Sequence, residues 1–560
     1  MKRLLLIFIF LFSMSNLIAG HGGNGGEIGW KCLSNGKYVF TLSIYEGCSG
    51  IPMAFSSRSI MIQGSPLPTD SNNQTINSIS VLPDSSKWVA NNYGLPSNKC
   101  NVIALPGRCT GFPPGTYRQY FFSSEPIELN GIPPRFGWDF TLQNGCCKWS
   151  YENINAGSNS LILRATMFSS STRDSVNQCF DSTPKFIESP QGTICEGQAS
   201  TYSVKANDKE SDSLVYSWAK SIASPYTYPT SNFISYVSGF SATNPTPDAS
   251  FDSLNVASNL NRETGIINLL VNSGFGNYSK VIRVDNWRNG KIISSIYREF
   301  SMYVNGSCPS LPNATKNNPP QAIIDSTVNP INYSLTVPAG QLVNLPIVFN
   351  DSDSVMNQAQ KITLTASGVF FSTDLATDTN CLDSNKIPCA VFKNSTPSLD
   401  TSFTPNKYSI VDSGAINTIF SWQTSCNLLD SLGGAKTFYF YLKAEDDFCP
   451  INANNLLSIA ITVTPDSCFG LSTNFKQEMF ETDNIGLYPN PNEGQFKLRL
   501  NNKFKAGELK MYNLQGQVLK SERYLQQKSL DLEIDGEPGI YFIQLTNSKG
   551  ERANLKVVKQ

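Results

Sequence analysis

The sequence predicts an all-β chain of tandem sandwich modules, and three observations carry that prediction. Apolar residues recur with a period of two, as in Tyr38/Phe40/Leu42/Ile44, and long stretches of helical periodicity are not apparent. The runs are bounded by turn formers, with 39 Gly and 32 Pro in 560 residues. Charged residues are only 16% and aromatics 11%, so Ser, Thr, Asn and Gln must supply the polar surface, as in exported β-rich modules. The length accommodates three or four domains, each with its own core. A formal net charge of −1 with dispersed Lys and Arg excludes nucleic acid as an expected partner.

The first element, residues 1–20, reads as a secretory signal peptide. Lys2 and Arg3 precede an apolar run at 4–12, and small residues follow at Ala19 and Gly20. That run is too short to span a bilayer, and no later stretch of about 18 apolar residues offers a transmembrane segment. All 14 cysteines lie beyond it, in a compartment that permits disulfides. With no C-x-x-C pair and a single histidine, they do not read as zinc ligands.

A first β-rich module is expected over 21–177. It opens GGEIGWKC (25–32) and KYVFTLSIYEGC (37–48), and Cys32 and Cys48 flank the strand between them as expected disulfide partners. This pattern is similar to the N-terminal module of large surface proteins that carry gliding-motility-associated or type IX tails. A second module is expected over 178–308, with an acidic turn at Asp208/Glu210/Asp212, a Thr264-Gly265 turn and a last strand near 298–304. Cys195 and Cys308 would close it. A Pro/Asn-rich linker at 309–320 precedes a third module at 319–468, whose run LVNLPIVFNDSDS (342–354) contains Asp351 and Asp353. The second and third modules resemble Ig-like and cadherin-like repeats of surface proteins. With Cys179 counted in the first module, the first and third modules hold odd numbers of cysteines, and Cys179 is the member to reassign first.

After a linker at 469–484, residues 485–560 form a small sandwich of their own. The segment opens YPNP (Tyr488, Pro489, Asn490, Pro491), followed by Gly494. It continues through the YNLQGQ turn with Gly516, the strand GIYFIQL with Gly539 and Tyr541, and a basic end, KVVK, with Lys556 and Lys559. In order and over its whole length, this resembles the C-terminal sorting domain of type IX secretion substrates. The resemblance implies a partner, the type IX machinery, and a destination at the cell surface or outside the cell.

Chemistry-bearing groups are sparse. The lone His21 lies at the expected mature N-terminus in a Gly-rich segment, a poor place for the base of a catalytic triad. Glu125, Glu128 and Asp139 lie among Phe121, Phe122, Phe136 and Trp138, which would suit a glycoside hydrolase if two acids converged. Asp208, Asp212, Asp351 and Asp353 are the candidate metal ligands, and the acidic turn Asp446/Asp447 raises the same expectation. Acidic turns at module junctions can supply the six to eight oxygens that calcium wants, and the resemblance to cadherin-like repeats implies the same. Calcium is the one cofactor expected, and catalysis is not. The expected role is an adhesin-like binding protein for glycans or surface proteins. A carbohydrate-active protein and a structural component of a surface filament or motility layer are the alternatives.

Overall fold

In a computed structural model, the chain divides into two compact units, 1–471 and 472–560. The structure describes residues 23–47, 56–84, 117–144, 150–170, 179–308, 316–371, 389–465 and 485–560, with Lys148, Leu311 and Leu375, apart from short gaps inside these ranges. His21 and Cys48 lie outside the described residues. The fold is all-β, with only two short 3-10 turns at Cys426–Leu428 and Asn502–Phe504 among the described residues. None of the described helices is long and apolar enough to cross a membrane.

The first sheet closes on itself, and the strand that closes it comes from the second module. From Gly23–Cys32 the order runs through Tyr38–Gly47, Tyr117–Ser123, Ser78–Pro83, Arg58–Gln63, Trp138–Asn144 and Leu161–Met167 to Lys291–Asn305. Lys291–Asn305 then pairs back onto Gly23–Cys32, with Glu27 opposite Arg298. The expected boundary at 177/178 therefore does not separate two sheets, because strand 291–305 belongs to both sides. Period-2 alternation shows that a strand has a buried face and says nothing of which strand it pairs with. The part-buried pair of Arg298 with Glu27 spans the closure, and a buried pair of Lys148 with Glu299 lies beside it on the same closing strand. One apolar core runs through both modules, and Phe40 and Phe140 meet in it with ring centroids 4.6 Å apart.

The expected Cys32–Cys48 bond is corrected by the strand register. Gly23–Cys32 and Tyr38–Gly47 form a hairpin in which Cys32 faces Tyr38 while Gly23 faces Glu46. Cys32 is thus at the turn end, whereas Gly47 ends the partner strand at the far end, nine residues from Tyr38 and roughly 30 Å away at about 3.4 Å per residue. A disulfide needs Cα atoms within about 7 Å. Cys32 bonds instead to Cys179, with Cα atoms 5.5 Å apart. Cys195 and Cys308 are bonded to each other, tying the start of the second module to its end.

The third module is a two-sheet sandwich. One sheet runs through Gln321–Ile324, Leu342–Asn350 and Ala415–Gln423, and the other through Asn332–Pro338, Asn454–Thr464, Lys436–Glu445 and Lys361–Ser367. In Leu342–Asn350 the residues Val343, Leu345, Ile347 and Phe349 alternate inward. Between the sheets Trp422 packs 4.8 Å from Phe440. Ile266 of the second module joins Tyr441 and Leu456 of the third in a small apolar cluster, and the Lys205 ammonium lies 3.5 Å from the Tyr441 ring centre.

The second unit is a smaller sandwich. A three-stranded sheet (Gly486–Tyr488, Gln495–Arg499, Ser529–Glu533) faces a four-stranded one ordered Val518–Tyr524, Gly507–Tyr512, Gly539–Asn547, Arg552–Lys559. Leu498, Leu509, Ile543, Leu545 and Val557 fill the space between them.

Candidate functional site

The candidate metal residues fall into two clusters of different construction. The first gathers at the joint between the first and second modules. Cys179, held to Cys32, brings Asp181 beside the acidic turn at 208–212. Carboxylate oxygens of Asp181, Asp208 and Glu210 lie within 4.8 Å of one another, an arrangement that would suit a cation. A cation of the protein's own is already there. Arg288 bonds Asp181 at 2.8 Å and grips Asp212 through Nε at 2.9 Å and Nη2 at 2.5 Å. Asn286 donates to Asp208 at 3.2 Å, and the Asp212 amide donates to Asp208 at 2.8 Å. Burial pushes Asp181 up to about 8, with Asp208 adding to the rise and Arg288 opposing it. Burial likewise pushes Asp208 up to about 7.

The second cluster sits at the entry to the third module, where the linker meets the sandwich. Asp351 and Asp353 follow the strand Leu342–Asn350, and Asp446 follows Lys436–Glu445. The Asp353 amide donates to Asp351 Oδ1 at 2.9 Å, and the linker amide of Asn318 donates to Asp353 at 2.7 Å. Asn317 bridges the two sides, donating to Asp446 Oδ2 at 2.6 Å and accepting from Gln360 Nε2 at 2.7 Å. Among the described residues no ion pair reaches Asp351 or Asp446, and buried oxygens remain without a hydrogen-bond partner. Those oxygens are Asp351 Oδ2, Gln360 Oε1 and Asn452 Oδ1, on residues 6%, 2% and 6% exposed. Burial pushes Asp446 up to about 8, with Asp351 adding to it, and pushes Asp351 up to about 6. An orphaned buried oxygen costs free energy unless something meets it. Carboxylate and amide oxygens of this kind are the donor set of a hard divalent cation. Asp351, Asp446, Gln360 and Asn452 are therefore the residues that could hold calcium, with Asp353 and Asn317 positioning them. The acidic turn Asp446/Asp447 is an expected calcium candidate, whereas Gln360 and Asn452 are not among the expected ligands.

Two of the carboxylates that would have served a hydrolase are engaged with other partners. Asp139 is buried and accepts from the hydroxyls of Thr166, at 2.5 Å, and Tyr226. Burial raises its pKa, opposed by nearby Arg164. Glu128 forms an exposed pair with Lys37 at 3.4 Å. Trp138 and Phe122 point into the core, so neither offers a face to a sugar, and Phe136 alone of that set is an exposed large apolar residue.

In the second unit several of the expected sorting residues meet at the edge of the last strand. Asn490 Nδ2 donates to the Lys556 carbonyl at 2.9 Å, and the Val558 amide donates back to Asn490 Oδ1 at 2.8 Å. The Asn492 amide bonds the Val558 carbonyl at 2.9 Å, and the Gln560 amide bonds the Asn492 carbonyl at 2.8 Å. The opening loop thus covers the edge of the last strand, which would otherwise be open to pairing with other chains. The Lys559 ammonium donates to the carbonyls of Ile534 (3.0 Å) and Gly536 (2.7 Å) and lies against Gly494, whose φ of +111° few side chains tolerate. Gly516 turns the chain with φ +80°, Tyr541 donates to the Glu537 carbonyl at 2.6 Å, and Gly539 pairs with Lys559. Tyr488 is 80% exposed. Pro489 and Pro491 flank Asn490 in the covering loop.

Comparison with known proteins agrees with this geometry at the C-terminus. Residues 486–560 match the family model described as a secretion system C-terminal sorting domain. A search of curated proteins found no match. Among solved structures, zebrafish RET cadherin-like domains 1 to 4 are 11% identical with a TM-score of 0.15, over 72% of this chain and 78% of that one. Chicken CNTN1 FN1–FN3 domains are 7% identical with a TM-score of 0.13, over 68% and 97%. The Pseudomonas aeruginosa CupB2 chaperone is 9% identical with a TM-score of 0.13, over 41% and 99%. Scores this low support no conclusion about this chain. The C-terminal match does: residues 486–560 are a secretion-system C-terminal sorting domain, and the chain is cargo that the type IX secretion system exports to the cell surface or beyond it.

Proposed function

We propose that the exported chain is an adhesin-like binding protein and not an enzyme, and that calcium held at Asp351 and Asp446 is its structural cofactor. The observation that carries the binding role is the long connection at 219–255, between the strands Ser213–Trp218 and Val256–Leu260. Among its described residues it contains no strand, yet it is held in place by polar contacts within itself and to its neighbours. Asn153 donates to the Pro245 carbonyl at 2.8 Å, Thr246 and Ser258 bond at 2.7 Å, and Asp248 accepts from Asn244 and Ser250. On this scaffold Phe233, Phe251 and Leu254 are exposed, with Phe251 braced by Phe240 at 4.8 Å. Long ordered loops that hold apolar groups in water are typical of binding surfaces. An aromatic ring fixed in this way suits a sugar face or an apolar patch on a protein.

Against a hydrolase stands the fate of Asp139, Glu128 and Trp138 described above. The test is a glycan and cell-surface binding screen of the mature protein, run with and without calcium. F251A with L254S should abolish the binding found with wild-type protein while leaving thermal unfolding unchanged. Turnover of a polysaccharide, or binding indifferent to both substitutions, would overturn the reading.

A further inference from the structure

The two outer faces of the sorting domain are made differently. The three-stranded sheet presents Gln495, Lys497, Arg499, Ser529, Asp531 and Glu533, and Lys497 pairs with Asp531 at 3.2 Å. This is a water-facing surface. On the four-stranded sheet the inward residues are Leu509, Met511, Ile543, Leu545 and Val557, and alternation should leave polar residues outside. At one end it does, with Glu508, Gln544, Thr546 and Asn554. At the other end it does not. Tyr512 pairs with both Val518 and Phe542, and Ile540 pairs with Val558, which sets five apolar side chains side by side across all four strands. Val518 is 54% exposed, Phe542 41% and Ile540 37%.

Charge adds a direction. Residues 486–560 hold 12 Lys and Arg against 8 Asp and Glu, whereas the whole chain holds 43 against 44. The sorting domain is therefore a basic module on an otherwise acidic chain. On the apolar sheet's outer face Lys510, Arg523, Arg552 and Lys556 stand against the single acid Glu508. Apolar side chains left in water beside unbalanced lysines and arginines fit a protein partner with an apolar strip bordered by acids.

We propose that this face, centred on Phe542, Val518 and Ile540, is where the export machinery docks, and that the occupant is an acidic-bordered apolar surface of that machinery. The proposal rests on the sorting assignment and names the surface that carries it out. Export should depend on side chains that contribute nothing to the core, while the charged face opposite is free to vary.

The experiment uses the full chain expressed in a host with the secretion system, comparing surface-plus-medium protein with periplasmic protein. F542K and, separately, V518K should each lower export by about tenfold or more, the loss expected when a central contact of an interface is charged. K497D with D531K on the opposite face should export as wild type. Periplasmic F542K and V518K should unfold at the wild-type temperature, which separates lost docking from lost folding; if one of them does not, I540K replaces it. Wild-type export of the folded face variants, while deletion of 486–560 is retained, would overturn the docking face and leave the sorting assignment standing. Wild-type export of the deletion would instead overturn the assignment itself. Normal export with loss of a dimer, or with loss of binding to anionic vesicles, would assign the face to a second copy or to lipid and overturn the proposal.

Discussion

The two acidic clusters began from the same raw material and reached opposite solutions. At the joint of the first two modules, Arg288 is built in among Asp181, Asp208 and Asp212, and the guanidinium answers the negative charge permanently. At the entry to the third module no ion pair reaches Asp351 or Asp446 among the described residues, and oxygens of Asp351, Gln360 and Asn452 are buried without a hydrogen-bond partner among those residues. The first joint carries its own cation, although Asp181 and Asp208 still favour a proton and Asn286 Oδ1 is buried without a partner among the described residues. The second carries no such cation among the described residues, so it draws more on a proton or a metal from the medium. An acidic turn therefore has no fixed meaning: the nearest arginine decides whether it is a staple or a receptor.

The largest test of this contrast removes the arginine. R288A strands Asp181 and Asp212 without their partner, and breaking such a pair by deleting one side costs about 3–5 kcal/mol. Urea unfolding of the first unit should show a drop of that order, and a loss below about 1 kcal/mol would mean that the guanidinium is not what holds the joint.

Next in size is calcium itself. Binding to the folded state alone at 100 times Kd stabilises by about 2.7 kcal/mol. The melting transition of the third module should rise with millimolar calcium, and D351N or D446N should abolish the rise. An unchanged melt, or a rise that survives both substitutions and is lost instead in D208N, would reverse the assignment of the two clusters.

A smaller, graded effect comes from pH. Asp446 and Asp181 at about 8, Asp208 at about 7 and Asp351 at about 6 all bind their proton more tightly folded than unfolded, where the value is near 3.8. The folded state then holds more protons across this range. Stability contributed by these groups is full below about pH 4 and falls as pH rises toward 8. Metal-free protein should accordingly melt higher at pH 5 than at pH 8.5. Saturating calcium should flatten the part of that slope due to Asp351 and Asp446, leaving the part from Asp181 and Asp208. A slope of the opposite sign would show that these carboxyls are not buried as described.

Much of this was legible in the sequence, and the failures share one cause. Alternation in 342–349 marked a strand with one buried face, and turn formers marked its ends, because both signals are local. The YPNP and KVVK motifs were recognisable separately, but nothing in their spacing showed that Asn490 bonds Lys556 and Val558. Asp351 and Asp353 could be read as an acidic turn. Gln360 and Asn452 could not, since a lone amide gains meaning only from being buried against a carboxylate. Cys32 and Cys179 are separated by 147 residues, and no local pattern links them. Cys32 and Cys48 flank one strand in the sequence, and only the hairpin register shows that this places them at opposite ends.

The shared strand Lys291–Asn305 also sets a timetable. A chain threaded through a membrane from its N-terminus delivers Gly23–Cys32 and Leu161–Met167 long before the strand that joins them. Until about residue 305 has emerged, the first module has two open sheet edges, and Glu27 waits without Arg298. Open edges on an unfinished sheet invite pairing with neighbouring chains. The interval between residues 167 and 305 is thus the vulnerable period of this protein's life, when a periplasmic chaperone has most to guard.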